Sequence, residues 1–410
     1  MTTVKRIASS PWVIFVGAFV TRMASATYIL SRRFRPELLF IQNEPSHIAA
    51  ALVSGLGFSS PYAGAPTTPT AQQPPLYPFI LAGIFKVLGI CTVASAWTAV
   101  VINVLAGAVT AVLLYYVGRL HFGERIGILA AWLWVLPWMY QTNAFSVSLT
   151  NAYLAALGLT ALFLCVPRTL QANWKWFVLG IYCGLLVLLQ PSVLPLVFVY
   201  GGWLAWSKGR SPRVLLAVAG LLLALAPWTA RNFVTFGRFI PIRDNLGLEL
   251  WLGNRPGMHG TVDFTGDFPD HDPSNYARLG ELRFMDEKFD AARKFIISDP
   301  AGFGGRVLRR MLEFWYVPYP FSWIVVSIFG WLGAALAVRK DRSGWVWPVL
   351  LAFFPLVYCV THNFPTYRHP IEPLVILLAA YAVVEIIAQA KKAAATKKLR
   401  IGGSMFREAL

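Results

Sequence analysis

The sequence predicts an all-α polytopic membrane protein with about ten transmembrane helices, short interfacial helices in its first outer loop and one long outer loop. Three observations carry this expectation. Of the 410 residues, 57% are hydrophobic and 13% charged, against about 25% charged in an ordinary soluble domain. The mean hydropathy is +0.56, a larger apolar surplus than one globular core can bury. That surplus lies in blocks that approach the roughly 20 residues needed to cross a hydrocarbon core of about 30 Å.

The blocks run from Pro11 to Leu30, Thr92 to Tyr116, Arg125 to Tyr140, Ser146 to Val166 and Trp174 to Leu189. They continue from Val193 to Trp206, Arg213 to Thr229, Phe321 to Val338, Gly344 to Val360 and Ile371 to Ala390. The stretch Pro78 to Ile90 is apolar but short and interrupted by Lys86, which suits an interfacial or re-entrant helix. Charge then sets the orientation. With the N-terminus in the cytoplasm, the inner segments 1–10, 117–124, 167–173, 207–212, 339–343 and 391–410 each hold basic residues, including Arg339, Lys340 and Arg342 and the tail lysines from Lys391. The short outer turns at 141–145, 190–192 and 361–370 hold a single one, Arg368. This is the positive-inside bias, and it places both termini inside. The formal charge of +17 therefore calls for no nucleic-acid partner, although the inner basic groups can also meet anionic membrane lipid.

The first apolar run is too long for a cleavable signal. No CxxC pair, phosphate-binding glycine loop, HExxH helix or long repeat is present. The whole of 1–410 reads as one membrane domain. A first outer loop occupies 31–91, a long outer loop 231–320 and a basic inner tail 391–410. In the first loop, Pro45 at a helical first turn and apolar residues at Ile48, Ala51, Leu52 and Leu56 suggest a short amphipathic helix against the membrane. The long loop gathers most of the acidic residues.

Three runs carry a family resemblance. They are Asn43-Glu44-Pro45-Ser46-His47-Ile48-Ala49 with Gly55 to Pro61 and Pro69 to Pro78; Pro227 to Asn232 with Phe239 to Asn254; and Tyr367-Arg368-His369-Pro370-Ile371-Glu372-Pro373. In order, spacing and hydropathy they resemble bacterial C-type (GT-C) glycosyltransferases of the protein-mannosyltransferase-like superfamily. The resemblance implies a transferase in the bacterial cytoplasmic membrane, with its active site on the outer face and a polyprenyl-phosphate sugar as donor. An acceptor hydroxyl must lose a proton as it attacks the anomeric carbon, which calls for a carboxylate. The departing lipid phosphate calls for a cation. Glu44 matches the family's first-loop acid and is the expected base; Arg368, Arg231, Arg243 and Lys86 are the candidates for the phosphate. His47, Gln73, Tyr77, Glu249, Asn254, Tyr367 and His369 are the candidates for the acceptor and cavity lining.

Each assignment has a plainer rival. A Glu before Pro also suits a helix N-terminus; Arg368 and Lys86 can snorkel to headgroups; Arg231, Arg243, Glu249 and Asn254 can serve only to order the long loop. His47 follows Glu44 by one helical turn, a spacing that also serves packing. Arg22, inside the first span, should face the bundle or a wet cavity. Trp132, Trp134 and Trp138 fit an interfacial belt. Asp270-His271-Asp272 looks like a metal and nucleotide-sugar motif but falls on the outer side, away from cytoplasmic nucleotide sugars. Many relatives carry a second acid in the next outer turn, whereas here Tyr140 to Ser148 has none. No cofactor is assigned by the sequence, and the acid-free turn counts against a divalent metal without excluding one. A transporter or flippase of a lipid-linked substrate, or a catalytically silent scaffold in envelope-glycan assembly, are the alternative readings of the same spans.

Overall fold

The computed structural model describes residues 3–33, 39–40, 43–62, 67–136, 147, 149–165, 170–207, 212–258, 273–316 and 321–407. Among these the regular structure is helical, with only an isolated bridge between Ser59 and Pro69. The helices are α1 (Thr3–Ala8), α2 (Pro11–Arg33), α3 (Glu44–Val53), α4 (Leu76–Leu88), α5 (Val93–His121), α6 (Glu124–Val135), α7 (Ala152–Leu162), α8 (Asn173–Leu189) and α9 (Leu194–Ser207). They continue as α10 (Val214–Phe236), α11 (Leu246–Asn254), α12 (Pro273–Leu279), α13 (Glu281–Ser298), α14 (Pro300–Tyr316), α15 (Phe321–Lys340), α16 (Val346–Phe353), α17 (Leu356–Val360) and α18 (Glu372–Arg407).

Each of the ten expected spans contains an apolar helix among its described residues, but not all of these helices are long enough to cross a membrane. Six stretches are long and apolar enough to cross a membrane: Pro11–Arg32, Val93–His121, Val214–Phe236, Trp323–Lys340, Ser343–Val360 and Thr366–Thr396. The chain is an integral membrane protein. The other four expected spans correspond to α6, α7, α8 and α9, with 12, 11, 17 and 14 residues. At about 1.5 Å per residue, α7 rises only about 16 Å.

The short helix expected around Pro45 is α3. Asn43 caps α3, its side chain accepting the Ser46 amide at 3.0 Å, with Pro45 in the first turn. The short apolar stretch is helix α4, which begins at Leu76 just after Pro74-Pro75 and stops where Gly89 adopts φ 91. In the long outer loop α10 carries on to Phe236 before Gly237, at φ 66, ends it. Helices α11 to α14 then fill the segment up to the next span.

Without water to drive helices together in the bilayer, close backbone approach at small residues provides the attraction. Gly180 and Gly184 of α8 form a GxxxG pair facing Gly220 of α10. A Cβ on Gly180 would lie 1.9 Å from the Ala217 carbonyl oxygen, and one on Gly220 would lie 2.2 Å from that of Phe177. The same device joins α15 to α18, where a Cβ on Gly333 would meet the Leu378 oxygen at 2.0 Å.

Arg22 faces the bundle, as a charge in a span must. It is fully buried, with Nη2 donating to the Trp134 carbonyl at 2.8 Å and the guanidinium 4.9 Å from the Trp134 ring centroid. Trp134 is therefore a core residue over a buried cation and not part of an interfacial belt; Trp138 lies outside the described residues. A test of the α8–α10 contact is Gly180→Leu, which should cost about 3 kcal/mol or more and appear as a lower melting temperature in detergent. Gly201→Ala in α9, where a Cβ meets nothing within 4 Å, should leave the melting temperature unchanged.

Candidate active site

Glu44 opens α3 and is held by two glutamines of the extended segment that precedes α4. Gln72 Nε2 donates to Oε1 at 3.1 Å, and Gln73 Nε2 donates to Oε2. Both carboxylate oxygens are thus occupied on one side by neutral donors, which fixes the orientation of the group without spending a cation on it. The same Gln72 amide reaches the Tyr62 hydroxyl at 2.5 Å. Burial, and then the Glu44 charge, push the Tyr62 phenol well above its usual range. His47 stands one turn further along α3, half-buried.

Arg243 joins this carboxylate to a second one. Its Nε donates to the Gln72 backbone oxygen at 3.0 Å and its Nη2 to Glu249 Oε1 at 2.9 Å. Glu249, in the first turn of α11, also accepts from Asn245 Nδ2 at 2.5 Å and lies 3.0 Å from His362 Nδ1 through Oε2. Burial alone would raise this carboxyl, but His362, Arg243 and Asn245 outweigh it and hold it at about 2. His362 Nε2 lies 2.9 Å from the Tyr367 hydroxyl. Tyr367 in turn stacks on Tyr358 at 4.5 Å, whose hydroxyl donates to Ser192 Oγ at 2.6 Å and accepts from Gln190 Nε2 at 3.0 Å. A polar network therefore connects α3, the 70–73 segment, the 243–249 corner and the turn after α17, and the Tyr358–Tyr367 stack joins it to the α8–α9 break.

Several expected site residues do other work. Arg368 is fully buried and spends its donors internally: Nε and Nη2 on Glu372 at 2.5 and 3.2 Å, and Nη1 on Ser327 Oγ at 2.6 Å. Its guanidinium is packed between the Trp315 and Trp323 rings, so it is a core ion pair and not a free phosphate ligand. Arg231 donates to the carbonyls of Thr70 at 2.7 Å and Phe58 at 2.9 Å and lies over the Trp228 ring, clasping the first outer loop to α10. Lys86 is exposed in the last turn of α4, nine residues beyond Tyr77, and is not part of the Glu44 network. Asn254 is buried, donating to the Leu250 and Val360 carbonyls and accepting from Arg310. His369 is sandwiched between the Tyr153 and Trp134 rings at 4.2 and 5.6 Å. Tyr77 packs in the main core, and its hydroxyl has no hydrogen-bond partner among the described residues.

Glu44, Gln73, Arg243, Glu249 and Tyr367 are brought together. The residues missed were His362, Gln190, Ser192 and Tyr62; the available signal was polar groups at the outer ends of apolar blocks, as in Leu189-Gln190-Pro191-Ser192 and Thr361-His362-Asn363. Among the described residues no three His, Cys, Asp or Glu side chains group as metal ligands. The Asp270-His271-Asp272 run and the acid-free turn at 140–146 lie outside the described residues.

The Glu249 carboxyl gives a test with a definite sign. Its folded value lies below the unfolded one of about 4.3, so its stabilisation is present above that pH and is lost as pH falls toward 2. Glu249→Gln should lower stability at pH 7 by about 3 kcal/mol. It should also flatten the acid branch of a melting-temperature profile between pH 5 and 3, whereas an unchanged branch would remove Glu249 as the ion-pair hub.

Residues 72–230 match the family model described as dolichyl-phosphate-mannose-protein mannosyltransferase. Comparison with curated protein sequences gives no match. Among solved structures, the chain is similar to ArnT from Cupriavidus metallidurans bound to undecaprenyl phosphate, with a TM-score of 0.51, 14% identity and 90% of this chain covered. It is also similar to the oligosaccharyltransferase of Archaeoglobus fulgidus in its apo form, with a TM-score of 0.55, 12% identity and 95% covered. The alignments span 59% and 52% of those longer chains. The chain therefore shares its fold with these two structures, and its residues 72–230 resemble the mannosyltransferase family.

Proposed function

We propose that the protein is a membrane glycosyltransferase that moves a sugar from a polyprenyl phosphate to a hydroxyl acceptor, with Glu44 as general base and Arg243 at the departing phosphate. The observation that carries this reading is the shared use of Gln72. Its side chain orients the Glu44 carboxylate while its carbonyl anchors the Arg243 guanidinium, so a proton acceptor and a cation are set one residue apart. Sugar transfer needs both: the acceptor O–H gives its proton to a carboxylate as the C–O bond forms. The bond from the anomeric carbon to the phosphate oxygen breaks meanwhile, and its electron pair leaves with the phosphate toward a guanidinium.

The solved relative bound to undecaprenyl phosphate supports a lipid phosphate as the carrier. Tyr367, Gln190 and the unsatisfied Tyr77 hydroxyl are the polar groups offered for sugar or acceptor hydroxyls. The start of α7 meets the site, where Asn43 donates to the Leu149 carbonyl and Asn151 to that of Leu189, whereas its end meets the basic end of α5, where His121 lies 2.9 Å from the Phe163 carbonyl, two residues beyond Arg119. By the positive-inside rule the site then faces away from the cytoplasm, with both termini inside, in a bacterial cytoplasmic membrane.

The test is sugar transfer by the purified chain in liposomes, using a panel of radiolabelled polyprenyl-phosphate sugars. Glu44→Gln should lower turnover by about 100-fold or more with unchanged melting temperature, and Arg243→Ala should lower it by a comparable factor. Equal transfer by Glu44→Gln and wild type would remove Glu44 as the base. Absence of wild-type transfer from every donor would overturn the enzyme reading.

A further inference from the structure

Outside the Glu44 network the second outer segment holds two more buried carboxyls, Asp244 and Glu281, that touch each other. Glu281 is the first residue of α13, a position that favours an anion, and it is 4% exposed. Its Oε1 accepts the Ala71 amide at 2.5 Å, and its Oε2 accepts the Tyr276 hydroxyl at 2.7 Å. A carboxylate served by these donors is the ionised partner. Asp244 is the opposite case: both its carboxyl oxygens are shielded from solvent and accept from no donor among the described residues. The group they meet is the Glu281 carboxyl.

The surrounding charges do not settle that contact. Arg238 is paired with Asp286 at 2.8 Å, Arg243 with Glu249 at 2.9 Å, and Arg231 is committed to the Thr70 and Phe58 carbonyls. The Tyr62 and Tyr276 phenols, both pushed up by burial, stay protonated, and Thr68 and Thr70 are neutral. Two bare carboxylates in contact in such a place repel, whereas one proton between them makes a short, charge-assisted O–H···O⁻ bond.

We infer that Asp244 and Glu281 share one proton, and that this proton latches the second outer segment onto residues 70–73, which orient Glu44. The mechanical path is short. Ala71 is gripped from both sides, its N–H by Glu281 and its carbonyl by the Asp244 amide at 3.2 Å. Its neighbour Gln72 holds Glu44 through the side chain and Arg243 through the carbonyl. Losing the proton sets two negative charges against each other around Ala71 and loosens the glutamine that holds the base.

Burial and the neighbouring Glu281 charge push the Asp244 carboxyl up to about 8. Its folded value is therefore above its unfolded value of about 3.9, so the stabilisation is complete below that pH and is lost as pH rises through about 8.

The experiment uses the full chain in nanodiscs, without any donor, and measures melting temperature and hydrogen exchange of the 67–77 segment from pH 4.5 to 9.5. Wild type should lose stability by up to about tenfold in its folding constant per pH unit below pH 8, with lower protection factors at 67–77, after correction for base-catalysed intrinsic exchange, at the alkaline end. Asp244→Asn, whose amide donates to Glu281 without titrating, should keep wild-type stability at pH 5 and show neither change. Glu281→Gln removes the shared proton by the other partner and should likewise flatten both readouts. Wild-type pH dependence retained in either variant, or a wild type that shows none, would overturn the latch.

Discussion

Residues 70–73 have no regular secondary structure, so their buried backbone groups must be satisfied by side chains from elsewhere. Arg231 takes the carbonyl of Thr70, Glu281 the N–H of Ala71 and Arg243 the carbonyl of Gln72. Those three residues come from the end of α10, the start of α13 and the corner between them, so this irregular segment fastens the two outer loops to each other. Glu44 depends on the same segment through Gln72 and Gln73. The geometry of the site is thus set by backbone groups that would otherwise be unpaired, and each is matched by a charged or acidic side chain that would itself be costly to bury alone.

Three buried arginines show how the bundle compensates charge in different surroundings. Arg368 has a carboxylate partner, Glu372, one turn along the same helical run. Arg22 lies against the Trp134 ring and carbonyl. Arg310, in α14, is fully buried and donates to the Cys359, Val360 and Thr361 carbonyls at 2.8, 3.2 and 2.6 Å and to Gly253 and Asn254. It neutralises the negative ends of α17 and α11 together. Burial pulls its guanidinium down, to about 10, which leaves it charged at neutral pH. By pinning the end of α17, Arg310 fixes the turn that presents His362 and Tyr367 to Glu249.

Much of the fold was legible because hydropathy and charge asymmetry report on the bilayer directly. Pro45 likewise announced the start of α3 through its backbone preference. Glu44 was legible as an acid in a polar loop between apolar blocks. What the sequence hid were pairings across large separations. Ala71 with Glu281, Arg243 with Gln72, and Glu249 with His362 join residues far apart in the chain that no local pattern relates. Arg368 is the instructive exception, since its i, i+4 spacing to Glu372 signalled an internal ion pair. On either side of Pro191 the helices end and begin within a residue of where the apolar blocks do, at Leu189 and Leu194.

The central claim is that Glu44 and Arg243, held by one glutamine, flank the bond that is exchanged. The most direct measurement is a cryo-electron microscopy structure of the chain in nanodiscs with a polyprenyl phosphate bound. Phosphate density against the Arg243 guanidinium, on the Glu44 side of Gln72, is the expected result. A phosphate seated at Lys86 or elsewhere on the bundle, with Arg243 still closed on Glu249, would contradict it.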